Sequence, residues 1–440
     1  MKKILRTIIP FGWQRALRPF YHGFLATCAH WYYGRPGEQM VVIGITGTAG
    51  KSTTIHLLAH ILNRSGIKTG YITTVDFFDG QNSFINKHGL SMPNEMLLQR
   101  ELRAMARNAC RVAIVESTSE GLAQNRHWGI NFDMVLMTNL SHAHVEAHGG
   151  FEKYRAAKGR LFASLQRHRA KAFFPKKIAG VNLDNEDAGY FLQFPVDVKF
   201  GITLKHPTCT RVDQIFQAQE TPDGFVIQNK KLRLRLPGQF NIYNALMAVA
   251  GAYYLGVTIE AATAALEDFA GVPGRMEDLL NNRGFKIFVD YGCEPASIRA
   301  ALLAASRMPH QKLIHVFGST GGHRDVAKRQ IFGRASAEFA DVSIITNDDV
   351  YDSDPQKIAD DILAGMAQAG ERRKVKTVET VLDRRQAIAR ALALAQPGDI
   401  VLITGKGSEQ FLVLPGNKRI DWDDRQAVRE ELEKQELSRK

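Results

Sequence analysis

Cysteine is scarce in this 440-residue sequence: Cys28, Cys110, Cys209 and Cys293 lie far apart and form no C-x-x-C pair. That spacing argues against a zinc ribbon and a disulfide framework, and it predicts a reducing, cytoplasmic setting. Long apolar runs are missing too. No stretch approaches the roughly 18 consecutive apolar residues of a spanning helix, and Arg15 and Arg18 interrupt any signal-peptide core, so neither a membrane span nor export is expected. Acid is in deficit. The 57 Lys and Arg outnumber the 45 Asp and Glu for a formal charge of +12, which favours anionic partners such as nucleotides, nucleic acid or an anionic membrane surface.

What is present is ordinary globular composition, 45% hydrophobic and 23% charged, which excludes a disordered or fibrous chain. At roughly 100–200 residues per domain the length predicts two to four domains, and a multidomain enzyme is the default expectation. The basic surplus is uneven: the first 40 residues carry Lys2, Lys3, Arg6, Arg15, Arg18 and Arg35 against the single acid Glu38. They are interleaved with Phe11, Trp13, Phe20, Tyr21, Phe24, Trp31, Tyr32 and Tyr33. The general tendency of such side chains to be core predicts that they pack on the domain that follows. The alternative is a helix lying on a membrane, or a docking arm.

From Val41 the pattern changes to short apolar runs separated by helical periods, as expected of a parallel sheet wrapped by helices. Buried strands are predicted at Val41–Ile43, Val112–Val115, Met134–Met137, Lys286–Val289, Leu313–Phe317, Val342–Thr346 and Ile400–Thr404. Ile55, Leu58, Ala59 and Leu62 share one face of a helix that stops near Gly66. Residues 195–236 read as a small β excursion, and Asn241–Leu255 as a helix of small residues. The expected organisation is an N-terminal arm at 1–39, an α/β central domain at 40–272 and an α/β C-terminal domain at 273–440, with Gly271-Val272-Pro273-Gly274 marking the main boundary.

The strongest local signal is Gly44-Ile45-Thr46-Gly47-Thr48-Ala49-Gly50-Lys51-Ser52-Thr53-Thr54, between a strand and an amphipathic helix. In that context backbone N–H groups and the helix N-terminus cradle phosphates, Lys51 neutralises them and the Ser52 hydroxyl can ligate Mg²⁺, so ATP is the expected cofactor. Ile45 stands where G-x-x-x-x-G-K-[ST] has its first glycine. Glu116 ends a strand at the sheet edge where ligands gather, a position equally open to a metal ligand or a solvated loop acid. The stretch Thr138-Asn139-Leu140-Ser141-His142-Ala143-His144 ends another such strand. Its histidine spacing matches no zinc pattern, and taken alone Lys158 reads as a surface lysine.

Taken in order, these motifs resemble the Mur ligases. The series continues with Tyr154-Arg-Ala-Ala-Lys158, Val181-Asn-Leu-Asp184, Gly238-Gln-Phe-Asn241-Ile-Tyr-Asn244, Gly274-Arg275-Met-Glu277, Val289-Asp290-Tyr291 and Gly405-Lys-Gly-Ser-Glu409. The resemblance runs from Val41 to the end and is nearest to the MurE type. It implies a P-loop ATPase domain followed by a Rossmann-like domain, and an enzyme that makes an amide bond. ATP phosphorylates a peptide carboxylate, an amino acid's amine attacks the acyl phosphate, and ADP and phosphate leave.

Carried over by motif, the resemblance places Gly47, Thr48, Ala49, Gly50, Lys51, Ser52, Thr53 and Asn139 around the phosphates. It gives Ser52 and Glu116 one Mg²⁺, and His144 a second together with Lys158, which relatives carbamylate into a metal-binding carboxylate. Asn241 and Asn244 fall on the adenine side, and Arg275 and Asp290 beside phosphate and ribose. Ser119 and Arg126 are implied on the muramyl-peptide side, and Arg324, Asp325, Gly405 and Glu409 on the amino-acid side. Lys51, Glu116, His144 and Lys158 are the implied catalytic set.

Three features depart from the pattern. Only about 40 residues precede the ATPase strand, where MurE-type enzymes carry a domain for the UDP group. Asp348-Asp349-Val350-Tyr351 replaces Asp-Asn-Pro-Arg, which removes the arginine fork for a far carboxylate and argues against meso-diaminopimelate. Gly292-Cys293-Glu294-Pro295 replaces Ala-His-Thr-Pro, and Ala143 replaces an aspartate. The expected partners are a peptide or UDP-muramoyl-peptide and a free amino acid, without nucleic acid, in the cytoplasm; peripheral membrane contact through residues 1–34 is the alternative to packing of that arm on the first domain. Alternatives are a Mur-like ligase for another acceptor (poly-γ-glutamate, cyanophycin-like, folylpolyglutamate or a MurT-like role), or a catalytically silent nucleotide-binding module held at a membrane.

Overall fold

The structure, a computed structural model, describes residues 11–86, 91–141, 148–205, 211–322, 326–372 and 374–437, the side chains of 11–16 and Arg372 excepted. These residues divide into two compact α/β units, one built from residues up to 142, 148–234 and 241–269, the other from 235–240 and 270 onward.

The first unit is organised by an 11-stranded sheet: β1 (Val41–Thr46), β2 (Thr69–Ile72), β3 (Asp76–Phe78), β4 (Ser83–Ile85), β5 (Val112–Glu116), β6 (Met134–Met137), β7 (Ile178–Asn182), β8 (Val198–Thr203), β9 (Gln214–Thr221), β10 (Gly224–Ile227) and β11 (Lys230–Arg233). Their order is β11-β10-β9-β8-β7-β6-β1-β5-β2-β3-β4. The segment from β9 through β8, β7, β6, β1 and β5 to β2 is parallel, with Val41 opposite Val112 and Ile43 opposite Met134. Every residue of β1, β5, β6 and β7 is buried, which explains why these runs are apolar on both faces rather than alternating.

The expected β excursion is therefore an extension of this sheet, with β8 adding in parallel and β9 to β11 closing it as antiparallel hairpins. The helix Lys51–Arg64 buries Ile55, Leu58, Ala59 and Leu62, and Gly66 at φ 77° ends it.

The helix Phe11–Tyr32 packs on the first unit through the helix Glu95–Arg107, but its aromatics do not carry the packing. Ala26 and Ala29 are fully buried, and a Cβ on Gly23 would stand 2.7 Å from the Trp128 ring. Phe20, Tyr21, Phe24, Trp31 and Tyr32 point outward. The expectation that these five form core fails because the inward positions of the helix are taken by Gly23, Ala26, Ala29 and His30; the side chains of Phe11 and Trp13 lie outside the described ones.

The second unit carries β12 (Glu277–Asp278), β13 (Lys286–Asp290), β14 (Leu313–Phe317), β15 (Val342–Ile345), β16 (Thr377–Thr380) and β17 (Ile400–Thr404) in the order β12-β13-β17-β14-β15-β16, with only β12 antiparallel. The predicted strands all form, the one at Val342 ending a residue early. A hairpin, β18 (Phe411–Leu414) with β19 (Lys418–Asp421), stands apart from that sheet. Apolar clusters line both faces, one including Phe288, Phe317 and Phe332, the other Ile287, Val316 and Ile403.

Candidate functional site

The site in the first unit sits at the carboxyl ends of β1, β5 and β6. Chain direction alone brings it together, because parallel strands deliver their following loops to one edge. β1 leads into the Gly-rich turn 47–50. Gly47 at φ 153° and Gly50 at φ 80° are required there: a Cβ on Gly47 would lie 1.9 Å from Thr138 Oγ1, and one on Gly50 2.2 Å from Asn244 Oδ1.

The loop after β6 holds this turn. Asn139 clamps Ala49, its Oδ1 accepting from the Ala49 N–H at 3.0 Å and its Nδ2 donating to the Ala49 carbonyl at 3.0 Å. Thr138 Oγ1 also donates to that carbonyl at 2.7 Å, and Thr48 N donates to Asn139 O at 2.9 Å. On the other side Asn244 accepts from Thr54 Oγ1 at 3.3 Å and donates to Asn241 Oδ1 at 3.1 Å. Thr53 is buried in the first turn of the helix.

Four charged or hydroxyl-bearing side chains converge on the turn. Ser52 Oγ donates to Glu116 Oε2 at 2.7 Å, and Lys51 Nζ lies 3.9 Å from Glu116 Oε1. Lys51 also reaches the carbonyls of Gly47 and Thr48, each at 3.2 Å. Lys158 is fully enclosed: its Nζ donates to the Gly47 carbonyl at 2.8 Å and stands 4.6 Å over the Tyr154 ring. Burial, reinforced by the Lys51 charge and only partly offset by Glu116, holds the Lys158 amine well below the ordinary lysine value. The isolated reading of Lys158 as a surface lysine is corrected here. It is helical and inward-facing because Phe151–Ser164 turns Tyr154, Lys158 and Leu161 to one side.

One contributor, Thr74, is absent from the motifs, and another, Tyr154, stands in them without an assigned role. Thr74 binds both oxygens of Glu116, through its N–H at 2.9 Å and its hydroxyl at 2.9 Å, and Tyr154 OH meets Thr48 Oγ1 at 2.9 Å. The available signal for Thr74 was its place just past the end of β2, the strand next to β5. Behind Ser52, His56 bridges the Ser52 carbonyl at 2.7 Å and Asp76 Oδ1 at 2.8 Å.

The residues expected on the acceptor side are engaged locally. Ser119 Oγ is 3.1 Å from His148 Nε2, and Arg126 donates to Met92 O at 2.8 Å and to Gln124 Oε1. Asn94 caps the helix Glu95–Arg107 by accepting from Leu97 N at 3.0 Å. His144, Arg324 and Asp325 lie outside the described residues.

A second cluster belongs to the second unit. Buried Lys406 pairs with Glu409 at 2.5 Å, Asp349 at 2.9 Å and Asp348 at 4.0 Å. Burial works to lower the Lys406 ammonium, and Glu409, Asp348 and Asp349 outweigh it, so the group is held above the usual lysine value. The acids Asp348 and Asp349 thus face an internal cation. Gly405, at φ 116°, would place a Cβ 2.8 Å from Asp348 Oδ2. Nearby, Arg275 stacks 4.2 Å over the Tyr291 ring, while Asp290 accepts from Met276 N at 2.8 Å and Gly292 N at 2.7 Å. Burial pushes the Asp290 carboxyl up, against the pull of Arg275.

Among the described residues no group of three or more His, Cys, Asp and Glu is placed to hold a metal ion. The Ser52 hydroxyl and Glu116 carboxylate are nonetheless hard oxygen donors of the kind Mg²⁺ takes one or two at a time, leaving the rest to water and phosphate. Among those residues no helix is long and apolar enough to cross a membrane.

Two family models match: the Mur ligase middle domain over residues 45–252, and the Mur ligase glutamate ligase domain over 274–407. A UDP-N-acetylmuramyl-tripeptide synthetase of a Roseiflexus species is 36% identical over 422 residues, which span 93% of this chain and 81% of the relative. A UDP-N-acetylmuramoyl-L-alanyl-D-glutamate–2,6-diaminopimelate ligase of Geobacillus kaustophilus is 34% identical over 413 residues, 92% of this chain and 81% of the relative. Among solved structures, a ligase of the latter name superposes with a TM-score of 0.59 at 26% identity, over 96% of this chain and 83% of that one. Folylpolyglutamate synthase of Mycobacterium tuberculosis shares the fold, with a TM-score of 0.64 at 19% identity over 87% and 92% of the two chains. The chain belongs to the Mur ligase family and is an ATP-dependent acid–amino-acid ligase.

Proposed function

We propose that this ligase adds an amino acid to the peptide of a UDP-N-acetylmuramoyl-peptide, in the cytoplasm, as a step in peptidoglycan precursor synthesis. The observation that carries the reading is the pairing of Ser52 with Glu116 beside a fully buried Lys158 at the Gly-rich turn, in a chain 36% identical over nearly its whole length to a tripeptide synthetase. In this reading Lys51 and the N–H groups of 47–52 hold the β- and γ-phosphates of ATP. The acceptor carboxylate takes the γ-phosphoryl group and releases ADP, and the incoming amine then displaces phosphate to leave the amide. Both steps bring anions together, so positive charge and preorganised donors are what the protein supplies.

Ser52 and Glu116 are the residues that hold Mg²⁺, which when bound neutralises phosphate charge. Thr74 fixes both oxygens of Glu116, so the carboxylate is oriented before any cation arrives. Lys158 is suited to carbamylation because burial lowers its amine and so favours the neutral form that takes up carbon dioxide, and His144 is its proposed partner in a second metal site. Asn139, Asn241 and Asn244 serve the nucleotide side, as do Arg275 and Asp290. Ser119 and Arg126 serve the peptide, and Arg324, Asp325, Gly405 and Glu409 the amino acid. The donor is read as an amino acid other than meso-diaminopimelate, because Tyr351 stands where an arginine fork is needed.

The test is phosphate release from ATP and Mg²⁺ across the twenty amino acids plus ornithine and diaminopimelate, with and without UDP-N-acetylmuramoyl-dipeptide. Turnover that requires both the nucleotide-sugar peptide and one amino acid is the expected result. Turnover that ignores the UDP-peptide would move the acceptor elsewhere, and silence throughout with ATP still bound would sink the catalytic reading.

A further inference from the structure

The helix Phe11–Tyr32 is two-faced in an unusual sense. Its inner face is small and close-packed: Ala26 and Ala29 are fully buried, a Cβ on Gly129 would meet the Ala26 carbonyl at 2.5 Å, and His22 Nδ1 sits 2.6 Å from the buried Glu95. Its outer face carries the bulk. Phe20 is 71% exposed, Phe24 67%, Trp31 64% and Tyr32 77%, with Leu17 and Tyr21 also exposed. Positions 17, 20, 21, 24, 31 and 32 follow the helical period and so fall on one stripe, about 22 Å long at roughly 1.5 Å per residue.

A soluble surface rarely spends this many rings on one helix face, so the stripe calls for an occupant. Charge names its kind. The first 40 residues hold six Lys and Arg against one acid. Arg18 and Arg35 are exposed at the stripe, Arg35 lying 5.1 Å over the Trp31 ring. Rings of Trp, Tyr and Phe with flanking arginines match the boundary between headgroup and acyl chain, where the apolar body is buried and the cations meet lipid phosphate. The helix is not apolar enough to span, so it can only lie in that plane.

We propose that the outward face of Phe11–Tyr32 is a membrane-docking surface that seats the ligase on an anionic lipid bilayer through Phe20, Phe24, Trp31 and Tyr32, with Arg18 and Arg35 on headgroup phosphates. The inference does not depend on which acceptor or amino acid the ligase uses.

The test is co-sedimentation of the full chain with vesicles of phosphatidylcholine plus phosphatidylglycerol, and with phosphatidylcholine alone. Wild type is expected to sediment with the anionic vesicles and to be released by salt. Phe24→Ser with Trp31→Ser should weaken binding by roughly tenfold or more, and Arg18→Glu with Arg35→Glu should remove the preference for anionic lipid, while ATP turnover and the thermal midpoint stay at wild-type values. Both pairs are changes of exposed side chains outside the Gly-rich turn and its partners, so retained turnover certifies folding. Wild type that stays in the supernatant with anionic vesicles overturns the proposal. So does sedimentation that neither pair of substitutions alters. A wild-type oligomer that the ring substitutions dissociate, without vesicle binding, would instead assign the face to a second copy of this chain. Loss of turnover on the UDP-peptide would bear on the acceptor alone and leave vesicle binding to be read independently.

Discussion

Lys158 Nζ stands 2.8 Å from the carbonyl oxygen of Gly47, so the most deeply buried amine of the first unit is hydrogen-bonded to the turn that also carries Lys51 and Ser52. Two lysines share that turn, and burial together with the Lys51 charge lowers the amine of Lys158. An enclosed amine at this place has a use either through modification or through shaping the loop.

These alternatives separate experimentally. Lys158→Ala is expected to lower amide formation by on the order of 100-fold or more, and short carboxylic acids added to the variant should restore part of it by standing in for a carbamate. An alanine variant of full activity would remove the carbamate from the mechanism. Loss without rescue would leave Lys158 as a loop-shaping residue.

Glu116 is the next point of leverage, because its two oxygens are already fixed by Ser52 and Thr74. Glu116→Gln keeps the size and one acceptor oxygen but removes the charge, so the fold should survive while the Mg²⁺ concentration for half-maximal ATP turnover rises by on the order of tenfold or more. A magnesium titration of turnover checks this. An unchanged half-saturation point would take Glu116 out of the metal site.

In the second unit Arg384 is fully buried and forks onto Asp424, with Nε to Oδ1 at 2.7 Å and Nη2 to Oδ2 at 2.7 Å. Removing one partner strands the other charge in a dry site, so Arg384→Met is expected to cost about 3–5 kcal/mol. Replacing both, Arg384→Met with Asp424→Leu, should recover much of that loss. Urea unfolding of the single and double variants provides the measurement, and additive losses would contradict a stranded charge as the cause.

Two histidines make the stability of each unit depend on pH. Burial depresses His127 in the first unit and His315 in the second to about 3, aided by Arg167 and by Arg384 respectively. Each ring is harder to protonate folded than unfolded, so the unfolded chain takes up the proton first. Stability is therefore highest above pH 6.5, falls as the pH drops through the window from 6.5 towards 3, and levels off below it. The slope is about 1.4 kcal/mol per pH unit for each histidine, or roughly 2 kcal/mol between pH 6.5 and 5. Denaturant unfolding across that range, with His315→Gln for comparison, should show a shallower dependence in the variant. Equal slopes would show that His315 does not resist protonation.

Much of the site was legible as sequence because it is chain-local. The Gly-rich turn, Lys51 and Ser52 are consecutive, and a strand followed by a helix fixes their geometry through backbone N–H groups without help from distant residues. The apolar runs of β1, β5 and β6 were legible for a similar reason, since strands covered on both faces must be apolar at every position. What period and spacing could not show was which side chain lies opposite which. Lys158 follows Lys51 by more than a hundred residues, Thr74 precedes Glu116 by forty-two, and only the strand order that sets β1 beside β5 and β6 brings them to one edge.

The N-terminal helix shows the same division from the opposite side. Composition determined that residues 1–39 are basic and aromatic, and among the described residues no helix is long and apolar enough to cross a membrane. Which face turns inward was decided by packing alone. Gly23 and Ala26 fit against Trp128 and Gly129 at close range and Ala29 is fully buried, so Phe20, Tyr21, Phe24, Trp31 and Tyr32 are left on the opposite, outward face. The sequence by itself determined the family, the phosphate-binding turn and the charge of the arm. The tertiary structure decided the burial of Lys158, the commitment of Asp348 and Asp349 to Lys406, and the outward aromatic stripe, because each is a balance of desolvation against contacts that exist only once distant segments meet.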